Sequence, residues 1–74
     1  DGVFFAATAI EAAGRRMAEL LRDQPEGITV SEFRTALGCT RKHALPLLAI
    51  LDGTGQTRRR DNVRIAGPRL PSLG

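Results

Sequence analysis

The sequence predicts an α+β domain in which three helices pack against a small three-stranded antiparallel sheet. Three segments repeat their apolar residues at intervals of three and four, the spacing that gives a helix one buried face. Three shorter segments are β-branched or flank a tight turn, as the strands of a small sheet do. The chain has 74 residues, which is enough for one domain but too few for a self-sufficient enzyme with a deep pocket.

The first helix is predicted to begin at Thr8 and to end near Asp23. Thr8 and Glu11 have the spacing of a capping box, in which each side chain accepts a hydrogen bond from the backbone N–H of the other residue. The apolar face contains Ile10, Ala13, Gly14, Met17, Leu20 and Leu21. Pro25 disfavours helical backbone at the residue before it and therefore ends the helix. Residues 1–7 are interpreted as a linker that leads into the domain.

A short strand and a second helix follow the first helix. Residues 28–30 are predicted as a strand, and Thr29 with Glu32 repeats the capping-box spacing where a helix begins. Gly38 stands where a left-handed C-terminal cap is required, so this helix is only about two turns long. Its buried face is predicted to contain Phe33, Ala36 and Leu37.

The third helix is predicted from Arg41 to Gly53, with Thr40 as its N-cap. Pro46 falls inside this helix and removes one backbone donor. The residues expected to face the core are Ala44, Leu45, Leu47, Leu48 and Leu51. The second helix, a tight turn and the third helix together form a helix-turn-helix pattern.

A hairpin completes the predicted domain. Residues 56–60 and 63–66 are predicted as two strands joined by an Asp–Asn pair, which tolerates the positive φ of a tight turn. The order helix, strand, helix, helix, strand, strand is that of a winged helix-turn-helix, in which the hairpin is the wing. We predict that this domain spans residues 8–67 and that residues 68–74 form a flexible C-terminal tail.

The charges are divided unevenly along the chain, whose formal net charge is +3. Residues 1–38 carry four arginines against six acidic residues, a net charge of −2. Residues 39–74 carry six arginines and one lysine against two aspartates, a net charge of +5. A basic half on a small domain indicates a polyanionic partner, most often nucleic acid.

Two basic groups on the predicted fold are candidate contacts for that partner. At the start of the third helix, free backbone N–H groups and the helix dipole form a phosphate site that neighbouring cations strengthen. Its residues are Thr40, Arg41, Lys42 and His43. The second group is on the wing and consists of Arg58, Arg59, Arg60 and Arg64. Successive strand residues alternate faces, so Arg59 is expected on the face opposite to its two neighbours. The alternative for each group is a solvated surface without a ligand.

Several kinds of function are disfavoured by the sequence. One Cys and one His do not make a metal-ligand set, so no metal or other cofactor is expected. Motifs for nucleotide hydrolysis or acyl transfer do not occur, so no catalytic residues are expected. No uncharged stretch is long enough to span a membrane, no signal peptide is readable, and a single thiol fits a reducing cytosol. We therefore expect a cytoplasmic, monomeric, non-catalytic domain of a longer protein.

Residues 28–65 contain a set of motifs that is not generic to winged helices. The motifs are Ile28-Thr29-Val30, Glu32-Phe33-Arg34, Leu37-Gly38, Thr40-Arg41-Lys42, Ala44-Leu45-Pro46-Leu47-Leu48, Leu51-Asp52, Thr57-Arg58-Arg59 and Val63-Arg64. In these motifs the chain resembles the last winged-helix repeat of the bacterial selenocysteine-specific elongation factor SelB. His43 stands where that family usually has Tyr, and the wing turn at 60–62 lacks the usual Gly.

The resemblance implies an RNA-binding module. The family's C-terminal winged helices hold the selenocysteine insertion (SECIS) hairpin of the messenger RNA, and an extruded base of the hairpin helps recognition. Another part of the factor, a GTP-binding domain, delivers selenocysteyl-tRNA to a UGA codon on the ribosome. By position, the resemblance implies RNA contacts from Thr40, Arg41, Lys42, Arg58, Arg59 and Arg64.

Two alternatives to the RNA-hairpin module stay open. One is a DNA-binding winged helix of a transcription regulator, whose third helix would enter the major groove. Pro46 and the few polar residues on that helix argue against deep insertion. The other is a structural module that packs against a sister domain through the acidic first helix, which leaves the net charge of +5 in residues 39–74 unexplained.

Overall fold

The structure, a computed structural model, describes residues 6–71 and contains three helices and three strands in that range. The elements are α1 (Ala7–Asp23), β1 (Ile28–Thr29), α2 (Val30–Leu37), α3 (Arg41–Gly53), β2 (Thr57–Arg60) and β3 (Val63–Ala66). The strands are antiparallel in the order β1-β3-β2, so β3 is the middle strand. The predicted α+β winged helix-turn-helix is confirmed. Residues 1–5 of the predicted linker and 72–74 of the predicted tail lie outside the described residues.

All three helices contribute to one core, which is almost entirely aliphatic. Its largest fully buried apolar side chains are Phe33, Met17, Ile28, Leu48 and Leu51. The packing of α3 against α1 and α2 holds the start of α3 at a fixed position relative to the sheet. The core therefore positions both of the basic groups that the sequence singles out.

The start of α1 differs from the prediction. The helix begins at Ala7 with Ala6 as its N-cap, and no side chain caps it. Thr8 therefore lies inside the first turn, where its backbone is helical, whereas a capping residue needs an extended backbone. The capping box of Thr8 and Glu11 is wrong, but the predicted end of the helix at Asp23 is confirmed.

The second capping box is confirmed. The N–H of Glu32 donates to Thr29 Oγ1 at 3.1 Å, and the N–H of Thr29 donates to Glu32 Oε1 at 2.9 Å. The helix begins at Val30, so β1 is one residue shorter than predicted. Gly38 caps the other end in the left-handed conformation, with φ of 67°.

The core-facing residues of α3 were predicted correctly except for one. Ala44, Leu47, Leu48 and Leu51 are buried, but Leu45 is 41% exposed. The four buried residues occupy positions i, i+3, i+4 and i+7 of one stripe, and Leu45 lies about 100° around the helix from Ala44, away from that stripe. The assignment of Leu45 to the core is therefore wrong.

The wing, defined here as residues 57–66, contains the predicted hairpin. Its first strand begins at Thr57, one residue later than predicted. The turn is at Asp61 and Asn62 as predicted, and Asp61 adopts a positive φ of 55°. In the hairpin register, Arg59 is the direct partner of Arg64.

Residues 68–71, the described part of the predicted tail, contact the rest of the domain. The N–H of Arg69 donates to the carbonyl of Gly55 at 2.8 Å, and Leu70 packs against the core. Where the domain ends along the chain stays a prediction. Within residues 6–71, no helix combines the length and the hydropathy that crossing a membrane requires.

Candidate nucleic-acid interface

A cleft of about 330 Å³ lies between the start of α2, the start of α3 and the wing. We call it the wing cleft; its lining residues are Thr29, Val30, Ser31, Arg41, Leu45, Arg59, Asn62 and Arg64. Three arginines and no carboxylate are in this lining. The cleft is therefore a concave basic surface to which three separate parts of the chain contribute.

The wing cleft brings together three of the eight residues predicted to bind nucleic acid. Arg41 comes from α3, and Arg59 and Arg64 come from the two strands of the wing. Arg58 and Arg60 alternate with Arg59 along β2 and are exposed, so they point away from the cleft. The predicted alternation of the wing arginines is thus consistent with the lining.

The start of α3 is exposed and basic, and its cap differs from the usual arrangement. Thr40 is the N-cap as predicted, but its side chain caps no backbone N–H. Instead Thr40 Oγ1 lies 3.1 Å from His43 Nδ1. The N–H groups of His43 and Ala44 donate to the carbonyl of Thr40, whereas within residues 6–71 those of Arg41 and Lys42 have no backbone acceptor, and the dipole places partial positive charge there. Thr40, Lys42 and His43 are exposed beside the cleft without lining it.

The guanidinium of Arg59 is held at the tip of the wing. Its Nε donates to the backbone carbonyl of Asp61 at 3.2 Å. This bond leaves the two terminal nitrogens available, because within residues 6–71 neither makes a hydrogen bond or salt bridge. Arg59 is therefore directed by the turn and still has both terminal donors for a ligand.

Arg64 is held much more firmly than the sequence suggests. Its Nε and Nη2 donate to Asp52 Oδ2 at 3.2 and 3.0 Å, and its side chain is only 12% exposed. A neighbouring carboxylate therefore offsets much of the charge of Arg64. Asp52 is twelve residues away in the sequence, and no local pattern indicates this pair.

Five further residues line the cleft without having been predicted as site residues. They are Thr29, Val30, Ser31, Leu45 and Asn62. For Leu45 a signal exists, because it lies beside the stripe formed by the buried α3 residues and is the exposed large hydrophobic side chain of the described chain. Ser31 and Asn62 come together because β1, which leads into α2, pairs with β3 of the wing, and no short pattern in the sequence indicates this pairing.

Glu32 stabilises the α2 edge of the cleft. The backbone N–H of Thr29 lowers the pKa of Glu32, and hydrogen bonds from the side chains of Gln24 and Thr29 lower it further. The charged carboxylate holds the turn from which Thr29, Val30 and Ser31 enter the cleft. Among residues 6–71, no group of three His, Cys, Asp or Glu side chains is arranged to hold a metal ion.

Comparison with known proteins identifies the family. The family described as elongation factor SelB, winged helix, matches residues 19–66. This region includes the whole lining of the wing cleft and the start of α3. No curated protein matches the chain. The family match covers 48 of the 74 residues, and the chain therefore belongs to the winged-helix family of elongation factor SelB.

Proposed function

We propose that this domain recognises the SECIS hairpin of messenger RNA and thereby tethers a longer elongation factor for selenocysteine incorporation at UGA codons. The observation that carries the proposal is the wing cleft, where Arg41 and Arg59 face one concave surface that no carboxylate lines. The family membership supports a nucleic-acid partner. The domain itself acts by binding and carries out no reaction.

The chemistry of the cleft suits the loop of an RNA hairpin. Arginine guanidinium groups bind phosphate oxygens through paired, charge-assisted hydrogen bonds. The exposed side chain of Leu45 supplies an apolar surface in the same cleft as these cations. Unstacked bases in RNA loops need such a surface, whereas the deep major groove of an RNA helix cannot admit side chains. An extruded base and the phosphates next to it therefore match the apolar surface and the cations of the cleft, respectively.

The remaining predicted residues extend this surface. In this proposal Lys42 and the N–H groups of Arg41 and Lys42 contact the phosphates of the strand that enters the cleft. Arg58 and Arg60, on the outer face of the wing, contact phosphates of the RNA backbone that lie outside the cleft. Thr40 and His43 form a hydrogen-bonded pair whose imidazole ring is available to stack on a base.

A DNA-binding role is the second candidate, and the surface of α3 argues against it. A recognition helix in the major groove presents polar side chains to base edges along several turns. Beyond its first turn, the exposed positions of α3 are Leu45, Ala49 and Gly53. These side chains have no hydrogen-bonding groups, so the helix reads few base edges.

The other parts of the proposal concern the longer protein. There a GTP-binding domain delivers selenocysteyl-tRNA to the ribosome, and the domain described above holds the messenger RNA. Such a factor works in the cytoplasm. A purely structural role in packing against a sister domain leaves the wing cleft without a purpose.

The test is a comparison of three nucleic acids at several salt concentrations. The panel consists of bacterial selenocysteine insertion hairpins. We expect at least one of them to bind more tightly than two controls, which are the same stem as an RNA duplex without a loop and a DNA duplex of equal length. The affinity should fall steeply with salt, because phosphate contacts release counterions. Equal affinity for all three nucleic acids would contradict the proposal.

A further inference from the structure

One carboxylate connects α3 to both strands of the wing. Asp52, near the end of α3, accepts a hydrogen bond from Thr57 Oγ1 of β2 at 2.6 Å. It also accepts from Nε and Nη2 of Arg64 on β3, at 3.2 and 3.0 Å. Thr57 is 1% exposed, so this connection lies at the inner side of the wing, where it meets the helices.

The connection restricts a side chain that lines the wing cleft. The five N–H groups of a guanidinium lie in one plane, so two bonds to Asp52 through Nε and Nη2 fix the orientation of the whole group. Within residues 6–71, no acceptor is bonded to Nη1 of Arg64. Arg64 therefore lines the cleft with unused donors whose direction is already set.

We propose that Asp52 is a positioning residue for RNA recognition, which acts through Arg64. It holds the guanidinium plane of Arg64 and, together with Thr57, the angle between the wing and α3. That angle sets the spacing between Arg59 on the wing and Arg41 on α3. Arg64 is then a specificity-determining contact with a fixed direction rather than a freely moving phosphate ligand. This inference rests on the proposed function of the wing cleft.

Electrostatics alone predicts the opposite effect of Asp52. A carboxylate beside a basic cleft repels a polyanion, so removing its charge should raise the affinity for any RNA. A positioning role predicts that removing the charge lowers the affinity for the hairpin, because Arg64 loses its orientation. The sign of the change therefore separates the two explanations.

The experiment compares two substitutions that remove the same charge. Asp52→Asn retains an oxygen that can accept from Thr57 but loses the ionic bonds to Arg64. Asp61→Asn removes an equal charge from the wing turn; Arg59 bonds there to the backbone carbonyl, and Asn tolerates the positive φ of 55°. The probes are the hairpin that the unmodified chain binds best and single-stranded poly(U), both measured by titration.

We expect Asp61→Asn to raise the affinity for both probes by about two- to threefold. Asp52→Asn should raise the affinity for poly(U) similarly and lower the affinity for the hairpin by about tenfold. In a background that carries Arg64→Gln, Asp52→Asn should no longer lower the affinity for the hairpin, because the group that it positions is gone. Arg64→Lys keeps the positive charge but should still bind the hairpin more weakly than the unmodified chain does, because an ammonium group has no plane to orient.

A second measurement needs no RNA and shows whether the variants retain their fold. In the NMR spectrum, the Nε–H signal of Arg64 should be sharp in the unmodified chain and in Asp61→Asn, and exchange-broadened in Asp52→Asn.

If Asp52→Asn unfolds the chain, Arg64→Lys is used as the test variant instead. It should lose affinity for the hairpin and retain its affinity for poly(U). If the unmodified chain binds no hairpin, the proposed function is wrong. Hairpin affinity that rises in Asp52→Asn as it does in Asp61→Asn overturns the positioning role alone.

Discussion

Arg59 and Arg64 are direct partners across the wing hairpin, and both side chains line the same cleft, yet their surroundings differ. Arg64 is bonded to the carboxylate of Asp52, whereas the hydrogen bond that the Arg59 side chain makes within residues 6–71 is to a backbone carbonyl. A pair of like charges at directly opposed positions is unfavourable in a sheet. The carboxylate beside one member of the pair reduces that repulsion and leaves the other free for a ligand.

The first prediction concerns the cations of α3. Arg41→Ala and Lys42→Ala should each lower the affinity for the hairpin by about five- to tenfold, and each should reduce the slope of affinity against salt by about one. Arg15→Ala is the matched control, because Arg15 is an exposed arginine on α1 that does not line the wing cleft. If Arg15→Ala lowered the affinity for the hairpin as much as Arg41→Ala does, the interface would have been assigned to the wrong face of the domain.

The second prediction separates binding from stability at Leu45. Leu45→Ala should lower the free energy of unfolding by less than about 1 kcal/mol, because the side chain is 41% exposed and lies outside the buried core. It should lower the affinity for the hairpin by about fivefold through loss of apolar contact area. Leu48→Ala, which truncates a side chain that is buried, should instead cost about 2–5 kcal/mol of stability. Leu45→Met keeps the apolar surface and should keep the affinity.

The third prediction concerns the stability of the wing against α3. Thr57→Val removes the buried hydroxyl that donates to Asp52 while keeping the volume of the side chain. The free energy of unfolding should fall by about 1.5–3 kcal/mol, because a hydrogen bond to a charged acceptor is lost. Thr57→Ser, which retains the hydroxyl, should be clearly more stable than Thr57→Val in denaturant titrations. A Thr57→Val variant as stable as the unmodified chain would show that the hydroxyl contributes nothing.

The fourth prediction concerns pH. The folded state lowers the pKa of Glu32 below its ordinary value of 4.5, chiefly through the N–H of Thr29. Because the charged form is the one that is stabilised, its contribution is complete above pH 4.5 and is lost as the pH falls through the lowered pKa. Thermal unfolding below pH 4.5 should therefore show a smaller acid-induced loss in Glu32→Gln than in the unmodified chain. Glu26→Gln, which changes an exposed carboxylate outside the capping box, should retain the full loss.

Local patterns predict most of the elements, and the exceptions have a common physical reason. Thr29 and Glu32 form their capping box because β1 gives Thr29 the extended backbone that a cap requires. Thr8 and Glu11 have the same spacing, but α1 begins one residue earlier and makes Thr8 helical. The spacing of two residue types is therefore necessary for a cap, while the preceding backbone decides whether it forms.

The basic groups were predictable as groups, but their arrangement was not. Charge counting locates the cations in the second half of the chain, and strand alternation separates Arg59 from its neighbours on β2. The pairing of Arg64 with Asp52 joins residues twelve positions apart on different elements, so no local rule indicates it. The sequence therefore predicts which residues are cationic, and only the packing shows which of those charges is already paired.

The position of β3 as the middle strand has a consequence for the proposed binding of RNA. Because β3 is hydrogen-bonded to both β1 and β2, the wing is continuous with the strand that leads into α2, and these two sides of the cleft share one backbone network. The proposed binding surface is thus largely preorganised, and in the proposed complex the entropy cost of ordering falls mainly on the RNA loop. Hairpins whose free loops already expose the required base should bind faster and more tightly than hairpins whose loops must first rearrange.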